Sequence, residues 1–348
     1  MRCDASPAVG FGHVVRSLAL ARELAGRGAV ISFAMREDRH AEALVRRDGY
    51  PMFVARPNGQ RDAEAWLRDA AARAAADALV LDVRDDVPRT TIEALRTEGL
   101  LIATIDDPTD RRLAADLAFY PPIPQVDEFD WRGFTGALLV GGEWVVLRRA
   151  FAQPPERTPH SRPSVLVTMG GSDPAGMTLA VVDALALGTP EVMTDAFDLV
   201  IVLGPGFLRR AELHERLART RRGVSVVEQP ADIREIMLAC DLAVASFGVT
   251  AYELAATQTP AVCLCLTEDH ARSASVLETQ GAATSLGVYT GAEGPRLAQT
   301  VRTLLADADR RVAMGRAGRA LVDGGGAARV AEKILGTVGQ STEMRCTK

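Results

Sequence analysis

Short apolar runs alternate with helical patterns along most of the chain. In the first part, Val30–Met35, Leu79–Val83 and Leu100–Ile105 have the apolar character of buried strands, and His13–Gly26 has the Ala- and Leu-rich spacing of a helix. Strands that are apolar throughout and separated by helices are typical of a parallel sheet with crossover helices. The pattern therefore predicts an α/β fold.

A proline-rich segment separates this series from a second one. Gln153–Pro163 contains four prolines and several charged residues, which is the composition of a linker. After it, strands are predicted at Ser164–Met169, Leu199–Leu203, Val224–Glu228, Leu242–Ala245 and Pro260–Leu266. Helices are predicted at Pro174–Leu187, Phe207–Arg219, Ala231–Ala239 and Thr250–Thr257, and over most of Arg296–Leu335 with a break at Gly324–Gly326.

This organisation predicts two doubly wound, Rossmann-like α/β domains in tandem. We place the first at residues 1–150, a linker at 151–163, the second at 164–336 and a frayed polar tail at 337–348. Because open α/β sheets bind ligands at the carboxyl ends of their strands, we expect the domains to face each other across a cleft. Only Met1–Asp4 precede the first loop, so the first strand is expected to be very short unless the chain start is truncated.

Composition excludes several classes of protein. The chain of 348 residues is 47% hydrophobic and 24% charged, and its net charge of −5 argues against a nucleic-acid partner. No apolar run reaches the roughly 18 residues of a membrane span, and no signal segment opens the chain. The five cysteines form no Cys-x-x-Cys pair and match no zinc spacing, so we expect reduced thiols in a cytoplasmic protein without a metal.

A glycine loop lies at the start of the chain. In Asp4-Ala-Ser-Pro-Ala-Val-Gly10-Phe-Gly12-His13 two glycines precede a predicted helix, whose first N–H groups can bind an anion. Val15 occupies the third glycine position of the dinucleotide fingerprint, so an oxidoreductase is not indicated. A lone histidine is often structural, but His13 follows a glycine loop at a strand end. There we expect it to be neutral and to act as a base.

Two later turns between a strand and a helix could bind a diphosphate through backbone N–H groups. Their candidate contacts are Gly170, Gly171 and Ser172 in the first turn, and Ser246, Gly248, Val249 and Thr250 in the second. The alternative for Thr168–Pro174 is an ordinary capped turn. Glu253 lies one turn into the next helix, where it could hold a ribose diol or partner the helix dipole.

Glu268, Asp269 and His270 follow another predicted strand. At a strand end these polar side chains are suited to the hydroxyl groups of a sugar. A helix cap formed by Thr267 or Asp269 explains the same segment equally well.

Polar side chains also follow two strands of the first predicted domain. Asp82 lies near the end of the predicted strand Leu79–Val83, Arg84 follows that strand, and Asp107 belongs to Asp106-Asp107-Pro108. Paired carboxylates can bind a metal or transfer protons, although Asp-Asp-Pro is also common in turns. Arg84 is a candidate for binding a carboxylate or a phosphate. We therefore include Asp4, Asp82, Arg84 and Asp107 as possible contacts to a sugar or an acceptor.

Together these motifs resemble the pseudaminic-acid-pathway UDP-sugar hydrolases and the related spore-coat polysaccharide SpsG group. The matching segments keep the order of that family: Asp4–Ala21, Ile105–Asp107, Gly142–Arg148, Gly170–Pro174 and Thr250–Glu253. They cover roughly residues 1–290. This family is similar in fold to GT-B glycosyltransferases such as MurG, so the resemblance implies a GT-B-like fold.

The resemblance implies an enzyme that acts on a UDP-sugar. In the hydrolases water attacks the anomeric carbon of a UDP-activated diacetamido-trideoxy sugar, and the loop histidine, here His13, is the implied base. The implied nucleotide contacts in the opening segment are Gly10, Gly12 and Arg16. The diphosphate is expected at Gly170–Ser172 and Ser246–Thr250, and the ribose at Glu253. The uracil is expected near Gln229–Ile233, of which Ile233 is the candidate contact. No cofactor is implied, because backbone N–H groups and helix dipoles can stabilise a leaving diphosphate.

Two segments depart from the hydrolase pattern. Asp82-Val83-Arg84 and Glu268-Asp269-His270 stand where those hydrolases tend to have Asp-His-Tyr and Glu-Asn-Gln. Both departures concern the sugar pocket, so the identity of the sugar and the acceptor stays open. We predict a UDP-sugar hydrolase, with a glycosyltransferase that uses a small-molecule or glycan acceptor as the alternative. A catalytically silent nucleotide-sugar-binding protein is a third possibility, and a homo-oligomer is compatible with the sequence.

Overall fold

The structure is a computed structural model that describes residues 1–5, 10–55, 63–84, 87–157, 162–186, 197–220, 223–230 and 232–346, with side chains up to 340. Five parts of the predicted elements lie outside these ranges: residues 6–9 of the opening loop, 158–161 of the linker, Leu187, Ala231 and residues 347–348 of the tail. The chain divides into two compact units. The first contains Met1–Pro122, Val126–Arg149 and Gly325–Lys348, and the second contains Ile123–Gln125 and Ala150–Gly324.

The first unit is built on a parallel sheet of seven described strands. These are β1 (Arg2–Cys3), β2 (Phe33–Arg36), β3 (Met52–Ala55), β4 (Ala78–Asp82), β5 (Leu101–Ile105), β6 (Leu117–Tyr120) and β7 (Ala137–Val140). Its helices are α1 (Gly12–Ala25), α2 (Arg39–Arg47), α3 (Ala63–Arg73), α4 (Arg89–Thr97) and α12 (Gly326–Cys346). The strand order is β3-β2-β1-β4-β5-β6-β7, so the direction of winding reverses between β1 and β4. Ligand sites of open α/β sheets occur at such a reversal.

The second unit has a parallel sheet of six described strands. These are β8 (Ser164–Thr168), β9 (Asp198–Leu203), β10 (Val224–Glu228), β11 (Leu242–Ser246), β12 (Ala261–Cys265) and β13 (Ala283–Val288). Its helices are α5 (Met177–Ala186), α6 (Arg210–Leu217), α7 (Ile233–Ala239), α8 (Val249–Ala256), α9 (Glu268–Thr279), α10 (Gly294–Ala306) and α11 (Ala308–Leu321). The order β10-β9-β8-β11-β12-β13 places the reversal between β8 and β11.

Two parallel sheets confirm the predicted fold class, and β1 is as short as expected, with two residues. Four strands, β3, β6, β7 and β13, are not predicted from the sequence, because their apolar runs are short or broken by polar residues. The predicted strand Val30–Met35 begins too early, since Val30 is 95% exposed and β2 starts at Phe33. Apolar residues near a strand end do not by themselves reveal where pairing with the neighbouring strand begins.

The end of the chain differs from the predicted domain boundaries. We assigned residues up to 336 to the second domain and treated the rest as a frayed tail, but α12 belongs to the first unit and runs to Cys346. Val330, Ala331 and Ile334 of α12 are buried in one cluster with Leu20 of α1. Burial of this apolar face holds the helix in the first unit, because the apolar area removed from water stabilises the packed arrangement.

The predicted linker is also more ordered at its start than its composition suggests. Phe151 is fully buried, and the guanidinium of Arg157 donates a hydrogen bond of 2.8 Å to Oγ1 of Thr259 in the second unit. Burial lowers the pKa of Arg157. No helix in the described residues combines the length and the apolar character that a membrane crossing would need.

Candidate functional site

A histidine and a buried aspartate meet where the first sheet reverses. His13 is the second residue of α1, and Asp82 is the last residue of β4. The imidazole Nδ1 of His13 lies 2.6 Å from Oδ1 of Asp82, whose side chain is fully buried while that of His13 is 14% exposed. When Nδ1–H donates to the carboxylate, the neutral ring carries its lone pair on Nε2. In that tautomer the ring nitrogen that can accept a proton is Nε2.

Arg16 binds the same carboxylate from one helical turn further along α1. Its Nε donates to Oδ2 of Asp82 at 2.8 Å and its Nη2 donates to Oδ1 at 2.5 Å. Burial alone would raise the pKa of Asp82, but the charges and hydrogen bonds of Arg16 and His13 together hold that pKa well below its usual range. Asp82 thus remains a carboxylate that positions His13.

This geometry changes the interpretation of Asp82. The sequence predicts Asp82 as a possible sugar contact, but its side chain has no exposed surface and both of its oxygens accept hydrogen bonds from the protein. The pairing could not be read from the sequence, because 69 residues separate His13 from Asp82. The available signal is the position of each residue at or after the end of a strand.

Arg84 and Asp106 extend this polar cluster. Nη2 of Arg84 donates to Oδ2 of Asp106 at 2.8 Å, and Nη1 donates to the Asp106 carbonyl oxygen. Nη1 of Arg16 lies 3.8 Å from the same Oδ2. Asp106 has a positive φ of 53°, which turns its backbone toward Arg84. The side chain of Arg84 is 33% exposed and paired with Asp106, so a ligand that contacts Arg84 would also meet the Asp106 carboxylate.

Asp107 and Asp4 hold the surrounding backbone. Asp107 is 2% exposed; its Oδ2 accepts from Nε of Arg111 at 2.8 Å, and its Oδ1 accepts from the Thr109 hydroxyl at 2.7 Å. Both oxygens of Asp4 accept from Arg2, at 2.5 and 2.6 Å. The sequence predicts these carboxylates as possible sugar or acceptor contacts; in the structure three of their four oxygens accept from local arginines and the fourth accepts from Thr109.

Gly10 and Phe11 immediately precede α1. Gly10 has a φ of 80°, a conformation that glycine adopts without strain, and Gly12 is the first helical residue. Phe11, at the cap position, provides no side-chain hydrogen bond, and the first turn contains no acidic residue. The amino terminus of α1 therefore keeps the character of an anion site.

In the second unit, the loop after β8 shows both predicted features, a glycine turn and a capped helix. Gly170 has a φ of 76°. The carboxylate of Asp173 accepts hydrogen bonds from the backbone N–H groups of Met177 and Thr178, both at 2.8 Å. Burial raises the pKa of Asp173. Since a carboxylate already caps α5, a phosphate would meet the backbone of Gly170–Ser172 rather than the first turn of that helix.

A second glycine loop supports the first one. The backbone N–H of Gly206 donates to the Gly171 carbonyl oxygen at 2.8 Å. A Cβ atom on Gly204 would overlap the backbone of Gly171. The loop after β9 thus packs against the loop after β8 and holds its backbone in position. This contact between the two loops is not predicted from the sequence.

The two segments predicted to bind a diphosphate are neighbours. Thr168 of β8 pairs with Ala245 of β11, and a Cβ on Gly170 would lie 3.6 Å from Oγ of Ser246. Gly248 precedes α8 and provides no side-chain cap, so the first N–H groups of α8 face the same sheet edge. The reversal between β8 and β11 therefore brings Gly170–Ser172 together with Ser246–Thr250.

The remaining predicted contacts are distributed around this edge. Glu253 lies on α8 and is 8% exposed. Thr267 caps α9 by accepting from the His270 N–H at 3.2 Å, which agrees with the alternative interpretation of this segment as a cap. Glu268 and Asp269 are exposed in the first turn of α9. Ile233 is half-buried and begins α7.

The cysteines do not contribute a reactive group in the described residues. Cys3, Cys240, Cys263 and Cys265 are buried as free thiols, and burial raises the pKa of Cys3 and of Cys263 to about 12. A thiol with such a pKa stays protonated at neutral pH and is a poor nucleophile. The described part of the chain also contains no group of three or more His, Cys, Asp or Glu side chains arranged to hold a metal ion.

No protein-family model matches the chain. The spore coat polysaccharide biosynthesis protein SpsG of Bacillus subtilis (strain 168) is 24% identical over 325 residues, covering 92% of this chain and 93% of SpsG. The UDP-N-acetylglucosamine--N-acetylmuramyl-(pentapeptide) pyrophosphoryl-undecaprenol N-acetylglucosamine transferase of Acidithiobacillus ferrooxidans (strain ATCC 53993 / BNL-5-31) is 29% identical, covering 94% of this chain and 95% of the transferase.

Among solved structures, MurG of Acinetobacter baumannii matches with a TM-score of 0.68 at 16% identity, over 96% of this chain and 98% of MurG. The GT-B fold predicted from the sequence is confirmed by this match and by the two parallel sheets. The similarity to SpsG over most of the chain agrees with the resemblance inferred from the motifs.

Proposed function

We propose that this protein is a glycosyltransferase that moves a sugar from a UDP-sugar to a hydroxyl group of an acceptor, with His13 as the base. The observation that carries the proposal is the 2.6 Å contact between Nδ1 of His13 and Oδ1 of Asp82, beside an arginine that keeps the aspartate ionised. Similarity to a UDP-N-acetylglucosamine transferase over 94% of the chain supports the transferase chemistry.

The proton transfer follows from the orientation of the histidine. The acceptor hydroxyl donates its proton to Nε2 of His13 as its oxygen forms a bond to the anomeric carbon. The bond from that carbon to the phosphate oxygen breaks, and UDP leaves with the bonding electrons. The imidazolium formed on His13 is stabilised by the Asp82 carboxylate, which stays ionised throughout.

The second unit would bind the nucleotide. Backbone N–H groups of Gly170–Ser172 and Ser246–Thr250 would receive the diphosphate, and the uncapped first turn of α8 would stabilise the charge that develops on it. Glu253 would bind the ribose, Ile233 would lie near the uracil, and the first turn of α9 would contact the sugar.

A hydrolase is the second candidate. It is favoured by the opening segment Asp4–Ala21, which resembles that of UDP-sugar hydrolases. Water would then replace the acceptor hydroxyl, and His13 would accept a proton from water through the same nitrogen. The two functions share the base and the nucleotide site and differ only in what attacks the anomeric carbon.

One experiment tests both candidates. UDP release is measured from UDP-N-acetylglucosamine and from a UDP-activated diacetamido-trideoxy sugar, with and without a panel of glycan acceptors, for wild type and His13→Asn. His214→Asn, a change at an exposed histidine on α6, is the matched control. Acceptor-dependent release that only His13→Asn abolishes supports the transferase, and acceptor-independent release supports the hydrolase. Binding of UDP without turnover of either donor would contradict both.

A further inference from the structure

A buried glutamine holds the first turn of α9. Nε2 of Gln125 donates to the Asp269 carbonyl oxygen at 2.9 Å and lies 3.0 Å from Oγ of Ser273. Gln125 is 9% exposed and Ser273 is 6% exposed. The glutamine ends the short segment Ile123–Gln125, which belongs to the second unit although the chain on both sides of it belongs to the first.

The residues before Gln125 restrict the backbone conformation of the segment that carries it. Three prolines, at positions 121, 122 and 124, precede it. Each proline restricts its own φ and lowers the number of conformations that the segment loses on folding. A side chain presented from such a segment can form its hydrogen bonds at a small cost in conformational entropy.

The hydrogen bonds close into a small network within the second unit. The Ser273 hydroxyl lies 2.9 Å from the Asp269 carbonyl oxygen and 3.3 Å from Oε1 of Gln125, so it can donate to either acceptor. The Asp269 carbonyl has two lone pairs and can accept from both the amide and the hydroxyl. The backbone at Asp269 is thus held from outside its own helix.

The same turn of α9 reaches the proposed diphosphate segment on its other side. The ring of His270 lies 5.9 Å from that of Phe247, which follows Ser246 directly. Glu268 and Asp269, in the same turn, are exposed. A shift of the turn would therefore move the polar side chains assigned to the sugar, and the hydrogen bonds of Gln125 reach Asp269 and Ser273, not Gly170–Ser172.

From this network we infer that Gln125 is a positioning residue for sugar recognition: it fixes the first turn of α9 so that its polar side chains discriminate among the sugars of the donor. The inference rests on the proposed use of a UDP-sugar. It assigns the amide no role in binding the UDP part of the donor, and this separates it from a residue that only stabilises the fold.

The test compares the affinities of UDP and of UDP-sugars for the full chain. Isothermal titration is carried out with UDP, UDP-N-acetylglucosamine and a UDP-activated diacetamido-trideoxy sugar. The ratio of the affinity for the tighter-binding sugar nucleotide to the affinity for UDP measures what the sugar adds to binding. The variants are Gln125→Ala and Gln125→Glu. Gln280→Ala, at an exposed glutamine beyond the opposite end of α9, is the control.

In both Gln125 variants we expect an affinity for the sugar nucleotide about tenfold lower, with the affinity for UDP unchanged, because one hydrogen bond to the turn is lost. Gln125→Glu keeps the size of the side chain but replaces the donor by a carboxylate that faces a carbonyl. An equal loss in both variants therefore identifies hydrogen-bond donation, and not packing, as the cause.

Two results would overturn the inference. One is an equal fall, or no fall, in the affinities for UDP and for the sugar nucleotide. The other is a wild-type protein that gains nothing from the sugar. If the wild type binds none of the three probes, it is the proposed function that fails. Thermal unfolding shows whether each variant is folded, and Ser273→Ala, which removes the hydroxyl of the same network, takes the place of any variant that is not.

Discussion

Nδ1 of His13 and Oδ1 of Asp82 lie 2.6 Å apart at the carboxyl ends of two adjacent strands. Cys3, which ends β1, pairs with Asp82 in the sheet, so the helix that follows β1 begins beside the end of β4. The reversal of winding at this point thus joins a residue after the first strand to one at the end of the fourth. The sheet, and not the local sequence, creates the pair.

The first prediction concerns catalysis by this pair. Asp82→Asn should lower the turnover number roughly 10³-fold, because an amide can neither hold the required tautomer of His13 nor stabilise its imidazolium. The Michaelis constant for the sugar nucleotide should change far less. Steady-state UDP release measures both. Asp38→Asn, which replaces a helix cap by an equally good one, serves as the control. An unchanged turnover number in Asp82→Asn would remove the pair from the mechanism.

The second prediction concerns stability in acid. The folded state lowers the pKa of Asp82, so the ionised group stabilises the fold above the unfolded pKa of about 4, and this contribution disappears as the pH falls toward the folded pKa. The free energy of unfolding of wild type should therefore exceed that of Asp82→Asn by more at pH 7 than at pH 3. Urea unfolding at the two pH values measures the difference. A constant difference would contradict the assigned shift.

The third prediction concerns the support of the glycine loop after β8. Gly204→Ala places a Cβ against the backbone of Gly171, so we expect a loss of about 1–3 kcal/mol in stability and weaker binding of UDP. Gly336→Ala is the matched control: its Cβ meets open space within α12, where alanine favours the helix by about 0.5–1 kcal/mol. Urea unfolding and UDP titration measure the two effects. Wild-type UDP affinity in Gly204→Ala would show that the position of the loop does not matter for binding.

The fourth prediction separates a structural carboxylate from a catalytic one. Asp107→Asn removes the negative charge that the buried guanidinium of Arg111 binds at 2.8 Å, so the free energy of unfolding should fall by about 3–5 kcal/mol. Turnover per folded molecule should remain that of wild type. Urea unfolding and steady-state UDP release, both measured below the melting temperature, give the free energy of unfolding and the turnover. A loss of stability without a loss of turnover distinguishes Asp107→Asn from Asp82→Asn. A large loss of turnover with unchanged stability would show that Asp107 contacts the substrate.

Several features of the site could be predicted because they depend on local chemistry. Glycines before a helix, as at Gly10 and Gly170, adopt the positive φ that such turns require. A serine, threonine or aspartate at a helix start serves as a cap, as Asp173 and Thr267 do. These preferences act over a few residues, so they are visible in the sequence.

The carboxylates illustrate the opposite case. From the sequence, Asp82, Asp107 and Asp269 were all polar residues near strand ends, and all were assigned to the sugar or acceptor. In the structure Asp82 orients a histidine, Asp107 holds an arginine, and only Asp269 presents an exposed side chain. Burial and partner depend on which strands are neighbours, and this cannot be read from residue type.

The alternation of strands and helices, the glycine turns and the position of His13 at the start of α1 are visible in the residue pattern alone. Three relationships appear only in the folded chain: Asp82 is the partner of His13, α12 packs in the first unit, and Gln125 bonds to α9. Periodicity and turn preferences reflect interactions between residues close in the chain. Strand order and the burial of an apolar face depend on the free energy of the whole packed unit, which no single segment carries.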